Sequence, residues 1–374
     1  MLPTASLTLL ALFVSAGLAL IGAGAQLAVT HLAFAVGVVP LIFAAISHFV
    51  PVLTRTGDPG RWIARLPLAA QGAGLLAVAA MQGWLPRWLA HAAAAVDLLL
   101  VTILINWIAA RVRATLGSPH PGWRWYGTAL GCLLLALLAV LLIPALPAYW
   151  SALRAFHLHL NTLGLVGLAA LGTLPVLLPT AFGQPDPQAA GWLRRRLWLA
   201  TGGALVIATG AAVNWPLGVP GAALILVTAL GLAGQWGRRF GIRMLLADGV
   251  SASLFAALLG LMLVLVGGVA HGAGLLPGRT ILLVWAAAFL LPLVSGALSQ
   301  LLPVWRWPGP ATPERALMRT RLAASGPWRA LCFIGAGLAL LASQMEIAAW
   351  LVAGGMLLFL AGLLHAVRVT RPTR

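Results

Sequence analysis

The chain has 374 residues, of which 61% are hydrophobic and only 8% are charged. This composition excludes an ordinary soluble globular domain and indicates an integral membrane protein. A formal net charge of +17 would suit a nucleic-acid-binding protein, but all 23 basic residues are arginines and nearly all fall in alternate predicted loops. We therefore interpret the charge as a sign of membrane topology, and we expect the lipid bilayer, not nucleic acid, as the partner.

Apolar runs of roughly 20 residues, the length that crosses a bilayer, recur about twelve times. The sequence therefore predicts an all-α, polytopic membrane protein that forms one transmembrane domain, 1–374. Loops are short, so no separate soluble domain is expected. The predicted spans are 5–27, 31–54, 65–84, 87–110, 126–148, 152–181, 196–214, 219–237, 247–270, 280–304, 328–345 and 347–367.

The arginines fall unevenly on the two sides of this topology. Three lie on one side (Arg87, Arg154 and Arg279), and the other side carries all the rest, including Arg371 and Arg374. Because cytoplasmic loops carry the excess of basic residues, both termini are predicted to be cytoplasmic, in the inner membrane of a bacterium. The two longest connections, 306–328 and 183–196, are predicted to be solvated cytoplasmic segments.

Two further features concern single segments. Residues 5–25 end in Ala23-Gly24-Ala25, which resembles a signal-peptidase site, but no basic residue precedes the apolar run. We expect this helix to be retained. Cys132 and Cys332 are isolated within apolar helices, and they are predicted to be small buried hydrophobic residues.

Three helices spaced about a third of the chain apart look alike. One runs from His31 to Pro51, the second from His159 to Pro179, and the third ends at Pro303. This periodicity predicts three pseudo-repeats of four helices, approximately 1–125, 126–245 and 246–374, with histidines at equivalent depth in two of them. Two six-helix halves would not produce this spacing.

Five histidines fall at the outer ends of the predicted helices: His31, His91, His157, His159 and His271. Polar groups in a membrane are costly and often functional, although each of these imidazoles could instead simply contact headgroups or carbonyls at the interface. Residues two apart on a helix point about 200° apart, so His157 and His159 cannot bind one metal ion.

A haem iron with two axial imidazoles needs ligands from two helices, which His31 and His159 offer. His157 would then face a second cavity, suited to another haem or to copper, and His91 is a further candidate ligand. Arg154 is placed either to pair with a haem propionate or to act as an interfacial anchor.

Asp97 is a carboxylate deep in the fourth helix. Two interpretations stay open for it. It could line a cavity or relay protons, or it could be a protonated packing residue that is hydrogen-bonded, for example to Asn161.

The sixth helix resembles a helix of haem–copper oxidase subunit I, most closely that of the cbb-type oxidases and nitric-oxide reductases. The residues that carry this resemblance are His157-Leu158-His159-Leu160, Gly164, Gly172 and Leu178-Pro179. It implies that His157 binds a high-spin haem and that His159 binds a low-spin haem, whose other ligand would be His31. A twelve-helix, pseudo-threefold architecture is also implied.

A second resemblance is to the NnrS family of haem- and copper-containing membrane proteins associated with nitric-oxide stress. His31, Pro51-Val52-Leu53-Thr54 and Ala95-Val96-Asp97-Leu98 carry it. The chain departs from the NnrS pattern at Leu32, where that family normally has Glu. It also departs from the oxidases, because the paired histidines lie on the sixth helix instead of the tenth, and because the seventh and tenth helices lack histidine.

These observations predict an inner-membrane protein that binds b-type haem, with copper as a second candidate cofactor. Its expected role is electron transfer or nitric-oxide handling, with an electron-donor protein or quinol as partner, and not full oxygen reduction. The alternative is a protein that handles or transports copper or haem, or assists the assembly of respiratory oxidases. Whether the protein is an enzyme stays open.

Overall fold

A computed structural model describes residues 1–370, so Arg371 and Arg374, which were assigned to the cytoplasmic side, lie outside the described residues. The described chain is helical and contains no strand. Twelve of its helices are long and apolar enough to cross a membrane, which confirms the predicted fold class. They are α1 Leu2–Leu20, α2 Gln26–Thr54, α3 Arg61–Met81, α4 Trp88–Arg113, α5 Gly122–Leu142, α6 Pro147–Ala181, α7 Ala189–Val213, α8 Trp215–Ala247, α9 Gly249–Gly272, α10 Gly278–Arg306, α11 Pro313–Leu341 and α12 Met345–Val369.

The two longest predicted connections are more structured than the sequence analysis predicted. The sequence predicts a solvated loop over 306–328, but Pro313–Ala323 is a helix, followed after a short break by Gly326–Leu341. The Thr312 hydroxyl caps the first of these by accepting a hydrogen bond from the Arg315 amide at 3.2 Å. A threonine cap followed by proline at the first helical position is a standard helix start, and it overrides the polar composition of the segment.

Two groups of arginines also lie elsewhere than predicted. Arg194, Arg195 and Arg196 belong to the first turns of α7, not to the connection before it. The Arg329 side chain is fully buried within Gly326–Leu341, where its guanidinium donates to the Leu322 carbonyl and stacks on Phe359. This arginine therefore takes part in packing and is not solvated.

The helices α2, α6 and α10 each contain one π-helical segment at the same place. These segments are Leu32–Val38, Leu160–Gly167 and Trp285–Leu290. Their first residues lie 128 and 125 residues apart, close to the spacing of the aligned prolines. A π-helical turn is rare and is frequently found at functional sites. Its recurrence gives the three helices a shared local structure, as repeated units would have.

A π-helical turn disturbs the regular hydrogen bonding of the backbone, and neighbouring helices complete it in α2. The Thr8 hydroxyl donates to the Gly37 carbonyl at 2.9 Å, and the Gln71 amide donates to the Val36 carbonyl at 3.2 Å. Next to Gln71, Gly74 of α3 lies so close to the Ala35 carbonyl that a Cβ atom at this position would collide with it. Buried carbonyls need such partners, because unpaired polar groups are costly away from water.

The described chain divides into two compact units. The first contains Met1–Gly172 and Ala190–Gly218, and the second contains Thr173–Ala189 and the chain from Val219 onward. The helix α6 contributes residues to both units. Every contact described below for histidines and Asp97 lies within the first unit.

The second unit contains a polar network centred on Arg319. Its guanidinium donates to the side chains of Gln300 at 2.8 Å and Asp248 at 3.1 Å, and to the Ala181 carbonyl. Asp248 in turn caps α9 by accepting from the amides of Val250 and Ser251. The short helix Pro313–Ala323 is thereby attached to the ends of α6, α9 and α10.

Candidate functional site

Two histidines from different helices face each other in the first unit. The imidazoles of His31, in α2, and His157, in α6, have ring centroids 6.4 Å apart, and their planes differ by 13°. Both side chains are half-buried. His31 lies immediately before the π-helical segment of α2, and His157 lies three residues before that of α6. We refer to these two residues as the imidazole pair.

The backbone fixes the orientation of both rings. The Nδ1 atom of His31 is 2.8 Å from the Leu27 carbonyl, one turn earlier in its own helix. The Nδ1 atom of His157 is 2.9 Å from the Ala136 carbonyl of α5. Because a carbonyl oxygen only accepts, Nδ1 is the donor in each ring, which leaves Nε2 as the atom that can bind a metal. Such an outer-shell hydrogen bond is typical of histidine ligands.

The pairing differs from the one predicted. His31 was expected to meet His159, with His157 turned toward another cavity, but the ring facing His31 belongs to His157. His159 instead repeats the local geometry of His31, with its Nδ1 2.8 Å from the carbonyl of Ala155, four residues earlier. The prediction that His157 points away from His31 is therefore wrong, since positions equivalent by an internal repeat share an environment but need not face each other.

A polar residue one turn further along α6 marks the face that carries His157. The Asn161 side chain amide donates to the His157 carbonyl at 2.8 Å and lies 3.4 Å from both nitrogens of the His157 ring. Residues four apart share one face of a helix, whereas His159 lies on another face. The spacing of His157 and Asn161 places them on one face of α6, but it does not indicate which helix that face meets.

The imidazole pair is not part of a larger ligand cluster. Within residues 1–370, no group of three or more His, Cys, Asp or Glu side chains could hold a metal ion. A protein-only zinc or copper site generally needs three or four such ligands. A haem needs only axial ligands from the protein, because its macrocycle supplies the other four. The donor set of the pair therefore fits a haem better than an isolated metal ion.

The separation of the rings also fits axial ligation. Two imidazoles bound through Nε2 on opposite sides of one metal, at about 2.0–2.1 Å each, have centroids about 6 Å apart. The observed value is 6.4 Å, with nearly parallel planes. An offset stack of two rings in direct contact falls in the same range of about 4.5–7 Å. The geometry thus allows two arrangements: two imidazoles that bind one metal between them, and two imidazoles stacked in direct contact.

The other predicted site residues lie outside the pair. The Arg154 guanidinium stacks over the Trp150 ring at 5.3 Å, in an exposed position that suits an interfacial anchor. His91 is half-buried in the first turn of α4. Asp97 is buried in the same helix with 9% of its surface exposed. Cys132 is buried and Cys332 is half-buried, and both thiols are free.

Comparison of the sequence with protein-family models finds no match, and comparison with curated proteins finds none either. Assignment of a function consequently depends on the geometry of the imidazole pair and on the residues that hold it.

Proposed function

We propose that the protein is an inner-membrane haem protein in which the imidazole pair, His31 and His157, supplies both axial ligands of a b-type haem. The single observation that carries this proposal is the placement of two nearly parallel imidazoles 6.4 Å apart. The Nδ1–H bonds to Leu27 and Ala136 support it, because they leave Nε2 as the nitrogen of each ring that can bind a metal. The resemblance of α6 to haem–copper oxidase subunit I also implies haem binding, although it assigns His31 and His157 to different haems.

The chain's own residues would do three things at such a site. Two helices fix the spacing of the ligands, and the carbonyls of Leu27 and Ala136 hold the tautomer and orientation of each ring. The surrounding apolar helices would limit the access of water, which tunes the redox potential of a haem. Asn161 would have to give up its contact with the His157 ring nitrogens when Nε2 binds iron.

A b-type haem held by His31 and His157 would supply one-electron redox chemistry and could bind a small gas such as nitric oxide in place of one ligand. Two histidine ligands favour electron transfer over oxygen reduction, because an iron held by both would have no open position for oxygen. We therefore propose electron transfer or nitric-oxide handling, with a quinol or a protein as electron donor and the termini in the cytoplasm.

The test is an optical spectrum of the protein purified in detergent after expression with adequate haem, together with metal analysis. We expect a Soret band and, on reduction, a sharp α-band. Metal analysis should find one iron for each haem that pyridine extraction measures. His31→Ala and His157→Ala should each abolish the low-spin spectrum, since loss of either axial ligand leaves iron with one protein bond.

Two control variants separate this assignment from its rivals. His271→Ala removes an exposed outer histidine and should leave the spectrum unchanged. His159→Ala should also retain low-spin haem if the pair is correct. Loss of haem in His159→Ala with retention in His157→Ala would instead support the pairing that the family resemblance implies. A protein that contains copper and no haem, or neither, would refute the proposal.

A further inference from the structure

Asp97 is an acidic side chain in α4 that has, within residues 1–370, neither a hydrogen-bond partner for its buried Oδ1 atom nor an ion pair. The residue keeps only 9% of its surface exposed, and its Oδ1 atom is buried without a hydrogen-bond partner. Nine residues separate it from Trp88 at the start of α4, which is about 14 Å along a helix. That distance places the carboxyl group well inside a hydrocarbon layer about 30 Å thick.

The side chains beside Asp97 are small and apolar. Ala93, one turn earlier in α4, packs against Ala73 and Ala77 of α3 and forms a cluster with them. Methyl groups can neither donate a hydrogen bond nor balance a charge. An ionised carboxylate buried among them would be very costly, so the group avoids ionisation or finds a partner.

No such partner is present on the helices that pack against α4. Their titratable groups are Arg61 and Arg65 on α3, His31 and His48 on α2, and Arg124, Tyr126 and Cys132 on α5. None of these groups bonds to Oδ1 of Asp97. Asn161, the partner considered from the sequence, donates instead to the His157 carbonyl. The interpretation of Asp97 as a hydrogen-bonded packing residue therefore loses its proposed partner.

We propose that Asp97 is a proton-binding site within the membrane, whose carboxyl group is neutral at rest and exchanges its proton with water. The chemical class of the ligand is a single proton. A structural carboxyl would be hydrogen-bonded to the protein, whereas the buried Oδ1 of Asp97 has no partner. The inference does not require haem, so it can fail or succeed independently of the function proposed above.

The first test is reaction with dicyclohexylcarbodiimide, which attacks protonated carboxyl groups in apolar surroundings. The acid O–H adds across one C=N bond: the carboxyl oxygen bonds to the central carbon, and the proton moves to nitrogen. Rearrangement then gives a stable acylurea with no leaving group and no change in oxidation state. We expect one adduct per chain, located by peptide mass analysis at Asp97, and no adduct at this position in Asp97→Asn.

Labelling of Asp97 should also decrease as the pH rises. Between about pH 6 and about pH 9 exposed carboxyls are already ionised, so only a group that is neutral in this range can react and then lose reactivity as it ionises. Asp97→Glu should retain labelling, and Asp58→Asn, at an exposed acid outside the membrane spans, should label as the wild type does. Absence of any adduct at Asp97 in the folded wild-type protein would overturn the proposal.

A second measurement tests proton exchange directly. It uses the wild-type protein, so it remains informative if Asp97→Asn does not fold. Infrared spectra of the wild-type protein should show the carbonyl band of a protonated carboxyl, and transfer to heavy water should shift it. In Asp97→Glu the band should persist at a changed frequency. A band that does not shift after prolonged exposure would show a sealed structural carboxyl, and a missing band would show an ionised one. Either result would refute the proposal.

Discussion

At the scale of single residues, the histidines show how one backbone contact decides what an imidazole can do. In the imidazole pair Nδ1 donates to a carbonyl, so Nε2 is available as a ligand. In His120, in the connection between α4 and α5, Nδ1 is an acceptor and not a donor. Its Nδ1 accepts a hydrogen bond from the Gly122 amide at 3.3 Å, and protonation of Nδ1 would break that bond.

The stability of the protein should therefore respond to the charge of His120. Burial, and to a smaller extent repulsion from Arg194, hold the pKa of His120 below its ordinary value of 6.5. The unfolded chain then binds the proton more tightly than the folded chain. The contribution to stability is fully present above pH 6.5, and it is lost as the pH falls through that value toward the folded pKa.

The measurement is the melting temperature in detergent at about pH 7.5 and about pH 5. The decrease on acidification should be larger in the wild-type protein than in His120→Gln, which cannot take up the proton at this site. Arg194→Gln should show an intermediate decrease, because it removes only the smaller of the two causes. Equal decreases in the wild type and His120→Gln would contradict the assigned environment.

At the scale of helices, sequence patterns predicted what is local and missed what depends on packing. Hydropathy located all twelve spans, because each span buries its own backbone bonds and needs only apolar length. The π-helical turns had no sequence signal, since the carbonyls they disturb are satisfied by distant residues such as Thr8 and Gln71. The partner of His31 was also missed, because contact between helix starts is a tertiary property that an internal repeat does not determine.

The close packing of α3 on the π-helical segment of α2 can be tested with two glycines of one helix. A Cβ atom at Gly74 would collide with the Ala35 backbone, whereas one at Gly72 meets nothing within 4 Å. We expect Gly74→Ala to destabilise the protein by about 1–3 kcal/mol through overpacking. Gly72→Ala should be neutral or stabilising by up to about 1 kcal/mol, because alanine favours helix.

Both variants can be compared by thermal or denaturant unfolding in detergent, followed by tryptophan fluorescence. The comparison is matched, since the two substitutions add the same methyl group two residues apart. Equal effects from Gly72→Ala and Gly74→Ala would show that α3 does not approach the π-helical segment as closely as described.

At the scale of the whole molecule, the distribution of arginine predicts orientation. The buried Arg329 is an exception, because its charge is held by a carbonyl and an aromatic face, but the remaining arginines keep their strong bias. Ser118, between α4 and α5, should face the cytoplasm, and Leu275, between α9 and α10, should face the opposite side. Each would be replaced by cysteine in a Cys132→Ala, Cys332→Ala background.

Labelling of these two positions with a membrane-impermeant maleimide measures the orientation. In intact cells stripped of the outer membrane, Leu275→Cys should react and Ser118→Cys should react only after the inner membrane is opened. The reverse result would place the termini outside and would contradict the positive-inside interpretation.

The last prediction concerns symmetry. The π-helical segments of α2, α6 and α10 recur even though α10 has no histidine, so this local structure belongs to the repeated unit and not to the imidazole pair. If α1–α4, α5–α8 and α9–α12 derive from one such unit, an experimental structure should superpose them about a pseudo-threefold axis along the membrane normal. The three π-helical turns should then lie at one depth. Two six-helix halves without a threefold relation would contradict the repeat, while leaving the His31–His157 contact to be judged on its own.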